Sequence, residues 1–160
     1  IHGAKASRLL KALTEGEACV TIALADGLVL ARSAMHHSLN YRSVVIYGRF
    51  ALVTDPVEKQ RSLQALIEGL YPGRWETLRP INDKELNATS VLRMPLAEAS
   101  AKVRDMGAVD DEEDLAWPVW AGVIPLNTAT GMPRREGDSV GRTVPATRFS
   151  VGSDTAGGAV

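Results

Sequence analysis

The feature that most constrains the fold is a set of short apolar runs separated by turn residues. The clearest pair, residues 19–24 and 28–31, flanks Asp26-Gly27. Asp-Gly favours the type I′ turn, whose positive φ angles match the twist of paired strands. The sequence therefore predicts a β-hairpin over residues 18–34. Both faces of this hairpin are largely apolar, as in barrel strands that are covered on the outside.

Four more runs of β-branched and apolar residues predict further strands, at residues 43–53, 90–94, 99–104 and 119–126. Gly48 interrupts the first of them, which is typical of a bulge or a barrel corner. Helices are predicted for residues 7–13, after the cap formed by Asp55 and Pro56, and after Asn82. Short antiparallel strands with few helices favour a mainly β fold with α additions, a small β-barrel.

Composition limits the functions that this chain can have. Its 160 residues suggest one domain, and 18 basic against 19 acidic residues give a net charge of −1. This balance argues against a strongly basic nucleic-acid binder and against a polybasic membrane binder. A single cysteine, Cys19, excludes a disulfide-stapled scaffold, and no apolar run reaches the ~18 residues of a membrane span. We therefore expect no nucleic-acid partner, no membrane partner and a cytoplasmic location.

A first candidate site lies at the start of the predicted helix 7–13. Unpaired N–H groups at a helix start favour anions, and Gly3 lets the backbone come close to a ligand. Ser7 offers a hydroxyl group, while Lys5 and Arg8 offer positive charge. These residues form a candidate phosphate seat. The alternative is an ordinary helix start with surface cations.

A second candidate site is the polar segment at residues 35–43, between two predicted strands. Asn40, Arg42 and Ser43 stand at a strand entrance, where their donors could meet the edge of a heteroaromatic ligand, and Arg42 could neutralise a phosphate. The alternative is a turn with side-chain caps. Neighbouring His36 and His37 point to opposite sides of an extended segment, and no cysteine or glutamate motif completes a zinc set. We therefore expect no metal site.

Two other charged segments are less specific. Lys102 and Arg104 alternate on one face of a predicted strand, where they could meet an anionic cofactor or simply face solvent. The acidic run at residues 110–114 is expected to be a solvated loop. The chain has no Ser-His-Asp order and no HExxH, P-loop or GxGxxG pattern, so covalent hydrolase and Rossmann interpretations lack support.

Several motifs, in order along residues 1–126, resemble one known family. They include HGAKASRLL at residues 2–10, DGLVLARS at residues 26–33, HHSLNYRSVVIYG at residues 36–48 and SAKVR at residues 100–104. By these motifs the chain is identified as a member of the FMN-binding split-barrel family. Within that family it resembles the branch related to pyridoxamine 5′-phosphate oxidase, which includes the nitroimidazole-resistance (Nim) proteins.

This resemblance implies a six-stranded split barrel that forms a homodimer and binds FMN where the two subunits meet. His2 falls where the Nim proteins carry an active-site histidine beside the flavin. The cofactor-binding residues that the resemblance implies are Gly3, Ser7, Arg8, Asn40, Tyr41, Arg42, Ser43 and Lys102.

Two departures from the family pattern lead to further expectations. Ala4 stands where family members usually have a serine, so one phosphate contact is expected to be missing. Family members also begin with a helix and a strand pair before the His2 motif. We therefore expect an N-terminally truncated split barrel at residues 1–126, a C-terminal extension at 127–149 and a disordered tail at 150–160. We also expect this chain alone to bind FMN weakly or not at all, because an open barrel exposes strand edges.

The function implied by the resemblance is an FMN-dependent oxidoreductase. It would pass electrons from NAD(P)H through FMN to a small oxidised acceptor, for which a nitroaromatic compound is one possibility. Two alternatives remain open. One is a non-catalytic flavin-binding or flavin-sensing protein. The other is a haem-handling relative with the same barrel, in which His36 or His37 would be the iron ligand.

Overall fold

The computed structural model describes residues 1–137 of the 160-residue chain. Contacts divide the chain into two compact units. The first unit contains residues 1–24 and 42–103, and the second contains residues 25–41 and the chain from residue 104 onward. Each unit therefore combines an earlier and a later segment of the chain. The predicted extension at 127–149 is described only to residue 137, and the predicted disordered tail at 150–160 lies outside the described residues.

Strands dominate the described residues, which confirms the prediction of a mainly β fold with α additions. The strands are β1 (His2–Ala4), β2 (Glu17–Leu30), β3 (Ser38–Arg49), β4 (Ala51–Leu52), β5 (Thr89–Arg93), β6 (Glu98–Arg104) and β7 (Gly122–Pro125). The helices are α1 (Arg8–Leu13), α2 (Pro56–Leu70) and α3 (Asp83–Ala88), with short 3₁₀ turns at Ala34–His36, Trp75–Thr77 and Glu112–Asp114. None of the described helices is long and apolar enough to cross a membrane.

The strands form two sheets. The smaller sheet has the order β1-β5-β4, so β1 is an edge strand, and its antiparallel register pairs His2 with Val91. In the same sheet β4 pairs with β5 antiparallel, with Leu52 opposite Leu92. The larger sheet has the order β6-β3-β2-β7, in which Val29 of β2 pairs with Val123 of antiparallel β7. The short strands of the smaller sheet fix the backbone around His2.

The predicted hairpin over residues 18–34 is wrong, because β2 runs without a turn through Asp26 and Gly27. Gly27 instead pairs with Pro125 of β7. A Cβ atom built on Gly27 would lie 3.0 Å from Val123 Cγ1 and 3.4 Å from the carbonyl oxygen of Ile124. The glycine at this position therefore permits a close approach of β7 rather than a chain reversal.

The strand predicted at residues 43–53 begins earlier than expected, and its interruption lies after Arg49 rather than at Gly48. Its regular part, β3, starts at Ser38, so most of the predicted polar loop is strand, and it ends at Arg49 before the short β4. Gly48 lies within β3, one residue before the strand ends at Arg49. A Cβ atom there would lie 3.3 Å from Cγ of Met94, so Gly48 makes room for that side chain.

Helix starts follow the predicted caps. Asp55 accepts hydrogen bonds from the backbone of Val57 and Glu58, and Pro56 occupies the first turn of α2. Asn82 and Glu85 form a reciprocal capping box at the start of α3. Such caps satisfy N–H groups that have no partner within the helix, which is why they are visible in the sequence.

The first unit has an apolar core. Leu10 of α1 packs with Phe50 and Leu92 in a buried cluster, and partly buried apolar residues surround it: Leu13, Ala18, Val20 and Met94. A Cβ atom on Gly3 would lie 3.0 Å from Cδ1 of Leu10. Gly3 therefore allows α1 to pack closely on β1. The sequence predicted a different role for Gly3, namely a close approach of the backbone to a ligand.

Buried polar groups join the parts of the second unit. The backbone N–H and the guanidinium of Arg32 both donate to the Asp110 carboxylate, at 2.7 and 2.8 Å. The Asp110 side chain is 1% exposed, so the expectation of a solvated loop at residues 110–114 is wrong at its first residue. Its partner lies 78 residues away, and no local pattern indicates such a pair.

Candidate functional site

The His2–Arg8 segment forms β1 and the start of α1. The Ser7 N–H donates to the Ala4 carbonyl oxygen at 2.9 Å, and Ser7 Oγ accepts from the Leu10 N–H at 3.4 Å as the helix cap. The Ser7 hydroxyl keeps its own hydrogen for a further acceptor. Arg8 is exposed and makes no hydrogen bond or ion pair within residues 1–137. The two side chains predicted to seat a phosphate are thus neighbours, but Ser7 also has a structural task.

Asn40 is buried, with an exposed fraction of 3%. Its side-chain amide donates to the Met106 carbonyl oxygen at 3.0 Å, and Oδ1 accepts from the Met106 N–H at 3.1 Å and from the Arg104 guanidinium at 2.5 Å. Both polar atoms of the Asn40 side chain are therefore engaged within the second unit. A contact with flavin stays a prediction for this residue, and the sequence did not reveal its structural bonds.

The other predicted cofactor residues are spread along two strands. Tyr41, Arg42 and Ser43 are half-buried on β3, and Lys102 is exposed on β6. Asn40 and Tyr41 belong to the second unit. The remaining predicted residues belong to the first unit: His2, Gly3, Ser7, Arg8, Arg42, Ser43 and Lys102. Within the first unit the chain brings His2, Gly3, Ser7 and Arg8 into one short segment.

A cavity of about 540 Å³ lies within the first unit beside α2, and we name it the α2 cavity. Its walls are mostly apolar, with Leu63 and Leu66 from α2, Val91 and Leu92 from β5, and Phe50. His2 and Met94 also line it. Cavities of about 300–1,000 Å³ with apolar walls and few polar groups are the usual form of small-molecule sites.

The position of His2 follows from the sheet register. Arg93 of β5 donates to the Glu58 carboxylate of α2 at 2.7 Å, so α2 covers the sheet face that carries Arg93. Val91 lies on the same face, because side chains alternate along a strand. His2 is paired directly with Val91, which places its side chain on this face as well. The contact between β1 and β5 therefore brings a histidine to the α2 cavity.

A separate cluster of possible metal ligands lies in the second unit. Ligand atoms of His36, Asp111 and Asp114 all lie within 4.8 Å of one another. His36 Nε2 is 3.8 Å from Asp111 Oδ2, and its Nδ1 is buried without a hydrogen-bond partner. Asp111 is exposed. The sequence prediction of no metal site rested on the opposite orientation of His36 and His37 and on the absence of a cysteine or glutamate motif, and it did not consider the approach of the acidic segment to His36.

The neighbouring Asp110 carboxylate has a lowered pKa. Burial is the largest single influence and favours the neutral form, but the hydrogen bonds from the backbone and guanidinium of Arg32, together with nearby positive charge, outweigh it. The charges of Arg32 and His36 act in the same direction as these bonds. Asp110 is therefore a fixed negative partner of Arg32 at neutral pH, which suits it for structure rather than for proton transfer.

A comparison of the sequence with models of protein families identifies the family to which the chain belongs. The model of the family described as pyridoxamine 5′-phosphate oxidase matches residues 1–103. The chain belongs to this family of FMN-binding split barrels. The family assignment confirms the split-barrel fold that the sequence motifs implied. The matched range includes β1–β5 and nearly all of β6, together with every predicted site residue.

Two solved structures of similar proteins match a larger part of the chain than the family model does. One is the flavocytochrome Anf3 from Azotobacter vinelandii, with 44% identity and a TM-score of 0.81, covering 92% of this chain and 67% of that protein. The other is the FAD and haem binding protein from Mycobacterium smegmatis, with 37% identity and a TM-score of 0.84, covering 91% of this chain and 73% of that protein.

A third solved structure of this fold is more distant. It is a candidate 5-nitroimidazole antibiotic resistance protein from Bacteroides thetaiotaomicron VPI-5482, with 16% identity and a TM-score of 0.51. It covers 63% of this chain and 58% of that protein, and at this identity the likeness concerns the split-barrel fold alone. A search of the curated proteins found no match.

Proposed function

We propose that this chain forms a redox protein that binds a flavin and a haem. The observation that carries the proposal is the pair of relatives, 44% and 37% identical over more than nine-tenths of the chain, whose names join a flavin with a haem or a cytochrome. The resemblance found in the sequence leads to FMN alone, with haem as an alternative. The relatives favour the combination of both groups.

The flavin half of the proposal also rests on family membership. The chain's own contribution would be to hold the phosphate end, and Arg8 is suited to this because it is exposed and has no partner within residues 1–137. Ser7 can donate its hydroxyl hydrogen to a phosphate oxygen while it caps α1. A bound flavin would supply one-electron and two-electron transfer.

FMN and FAD share the isoalloxazine ring and the 5′-phosphate, so the same residues serve both. The resemblance implies FMN, whereas the relative from Mycobacterium smegmatis is named for FAD. NAD(P)H as electron donor, a small oxidised acceptor and a cytoplasmic location belong to the proposal as well. So does a homodimer, which would cover apolar side chains that are exposed in this chain, such as Val103, Trp117 and Trp120.

Fluorescence quenching tests flavin binding. FMN and FAD are titrated separately against the 160-residue chain and against the chain extended at its N-terminus by a family-like segment. We expect quenching in at least the extended form, and a Kd raised about tenfold or more by Arg8→Ala, since a hydrogen bond to a charged group contributes ~1.5–3 kcal/mol. Arg61→Ala on α2 is the matched control, with an unchanged Kd expected.

The outcomes separate the proposals. Quenching by FAD but not by FMN would identify the natural flavin as FAD, and the reverse would identify FMN. Bleaching of the flavin absorbance by NADPH or NADH would support the oxidoreductase function, and a flavin that binds without bleaching would support the non-catalytic alternative. Failure of both flavins to bind to either form would overturn the flavin half of the proposal.

A further inference from the structure

The proposed function does not say where in the chain a haem would bind. The three histidines of the chain are candidate iron ligands: His2, His36 and His37. We infer that haem occupies the α2 cavity and that His2 is its iron ligand. This inference rests on the proposed haem binding and adds the site and the residue. It differs from the sequence interpretation, in which His36 or His37 would hold the iron.

The polar groups of the α2 cavity distinguish haem from flavin. Among the described residues that line it, His2, Ser62 and Arg93 carry polar functional groups, and the N-terminal ammonium of Ile1 donates to the Leu92 carbonyl oxygen at 3.0 Å. Ser62 Oγ donates to the Glu58 carbonyl oxygen at 2.9 Å, and Arg93 donates to the Glu58 carboxylate. His2 is the remaining one, and its ring makes no hydrogen bond within the described chain.

A flavin ring buried in the α2 cavity would leave several ring nitrogens and carbonyl oxygens without side-chain partners, and unsatisfied buried polar groups weaken binding. A porphyrin presents apolar faces and needs one or two iron ligands in addition to apolar contacts. His2 is exposed at the wall of this mostly apolar cavity and has no hydrogen-bond partner among the described residues, which fits a haem ligand better than a flavin contact. The volume of about 540 Å³ lies in the range of natural ligand sites.

Other features of the α2 cavity agree with this occupant. Met94 lines it and carries a thioether, a group that also ligates haem iron in some cytochromes. The Arg93 side chain also lines the cavity and is 66% exposed. Its guanidinium group could donate to a carboxylate at the edge of a haem as well as to Glu58. The β1–β5 pairing fixes the backbone of His2 through the register opposite Val91.

The other two histidines are less suitable. His36 Nδ1 is buried, and its Nε2 faces Asp111 at 3.8 Å. His37 is exposed, with Nδ1 2.9 Å from the Ser33 carbonyl oxygen, which leaves Nε2 as a possible ligand atom. Both belong to the second unit, whereas the α2 cavity lies within the first. His37 is the stronger rival and serves as a test of the assignment.

The experiment titrates ferric haem into the 160-residue chain and follows the Soret band. We expect saturable binding with the spectrum of a histidine-ligated haem. His2→Ala should weaken haem binding at least tenfold or convert the spectrum to that of an iron without histidine, while His36→Ala and His37→Ala leave it unchanged. Added imidazole should restore the spectrum of His2→Gly, which a loss of folding would not allow.

A second variant tests the cavity without touching the ligand. Leu66→Trp places a large side chain in the wall of the α2 cavity and should weaken haem binding at least tenfold. Leu70→Trp on the same helix is the control, because Leu70 is 57% exposed and is not part of the cavity lining. Far-UV circular dichroism of both variants checks that α2 remains folded.

Three results would overturn the inference, and they differ from each other. Binding that survives His2→Ala but disappears in His37→Ala keeps haem in the protein and moves the site to the second unit. Loss of FAD or FMN binding in Leu66→Trp, with haem unaffected, makes the cavity a flavin site. If no form of the chain binds haem, the haem half of the proposed function fails together with the inference.

Discussion

Leu92 in the first unit and Asn40 in the second are buried to nearly the same extent, with 2% and 3% of their surfaces exposed. They stabilise their surroundings in different ways. Leu92 packs against Leu10 and Phe50, so its contribution comes from apolar area removed from water. Asn40 makes three hydrogen bonds, to both backbone groups of Met106 and to Arg104. Equal burial thus corresponds to a non-directional contact in one unit and to directional bonds in the other.

The difference bears on what each unit is suited to do. Apolar contacts are non-directional, and the mostly apolar α2 cavity lies in the first unit. Directional bonds fix the positions of their partners and tolerate little displacement. In the second unit they hold the segment after β6 through Met106 and Asp110.

The largest expected effect is that of Leu92→Ala. Removal of a buried leucine side chain should lower the free energy of unfolding by ~2–5 kcal/mol, because apolar contacts are lost and a cavity remains. Urea unfolding followed by circular dichroism measures the change. Leu9→Ala is the control, since Leu9 is 67% exposed and a surface substitution should stay within ~0.5 kcal/mol. Equal losses in the two variants would contradict the core assignment.

A smaller loss is expected for Asn40→Ala. The substitution leaves the Met106 backbone groups and the Arg104 guanidinium without these partners, but Met106 is 56% exposed, so water can replace part of what is lost. We expect a decrease of ~1–2 kcal/mol in the free energy of unfolding, the net contribution of one or two hydrogen bonds. Hydrogen exchange at the Met106 amide should accelerate in the same variant. An unchanged exchange rate would show that the Asn40 bonds do not hold this segment.

The smallest effect at neutral pH, and the most pH-dependent, concerns Asp110. Its folded pKa is lowered because the hydrogen bonds of Arg32 and the charges of Arg32 and His36 together outweigh the effect of burial. A group with a lowered folded pKa adds stability above its unfolded pKa, about 3.9 for Asp, and that stability is lost as the pH falls through the folded pKa. The difference in Tm between the wild-type chain and Asp110→Asn should therefore be constant above about pH 5 and shrink below about pH 4.

A matched variant sharpens the Asp110 experiment. Asp105→Asn removes an exposed carboxylate from the same segment, and its Tm difference should show little dependence on pH. If the two variants gave the same pH profile, the ion pair of Arg32 with Asp110 would have no particular role in the second unit. A Tm difference that is larger at pH 7 than at pH 3 for Asp110→Asn, and not for Asp105→Asn, is the expected result.

Local features of the fold were well predicted from the sequence. The caps at Asp55 and Asn82 were found because a cap is made by residues that lie within four positions of each other. The strands at Thr89–Arg93 and Glu98–Arg104 were found within about one residue of their ends, since β-branched and apolar residues dominate or alternate there. The order of the family motifs along residues 1–126 indicates the fold class by itself.

Distant contacts were not predicted. Asp26-Gly27 has the composition of a hairpin turn, but pairing with β7, almost 100 residues later, keeps β2 extended. The bonds of Asn40 to Arg104 and Met106, and of Arg32 to Asp110, join segments separated by 64 to 78 residues. A local preference of a few tenths to one kcal/mol is outweighed by such pairing, which explains why the hairpin signal failed.

By itself the sequence determined the family, the mainly β fold, the helix starts and the candidate residues of a phosphate seat, because each depends on neighbours along the chain or on motifs in order. Only the tertiary structure decided that His2 faces the α2 cavity, that Asp110 is buried and that Asp26-Gly27 lies inside a strand. These depend on which strands pair, and the register opposite Val91 is what brings His2 to the face that α2 covers. Pairing between distant segments gains its free energy from burial and hydrogen bonds that no short window of sequence contains.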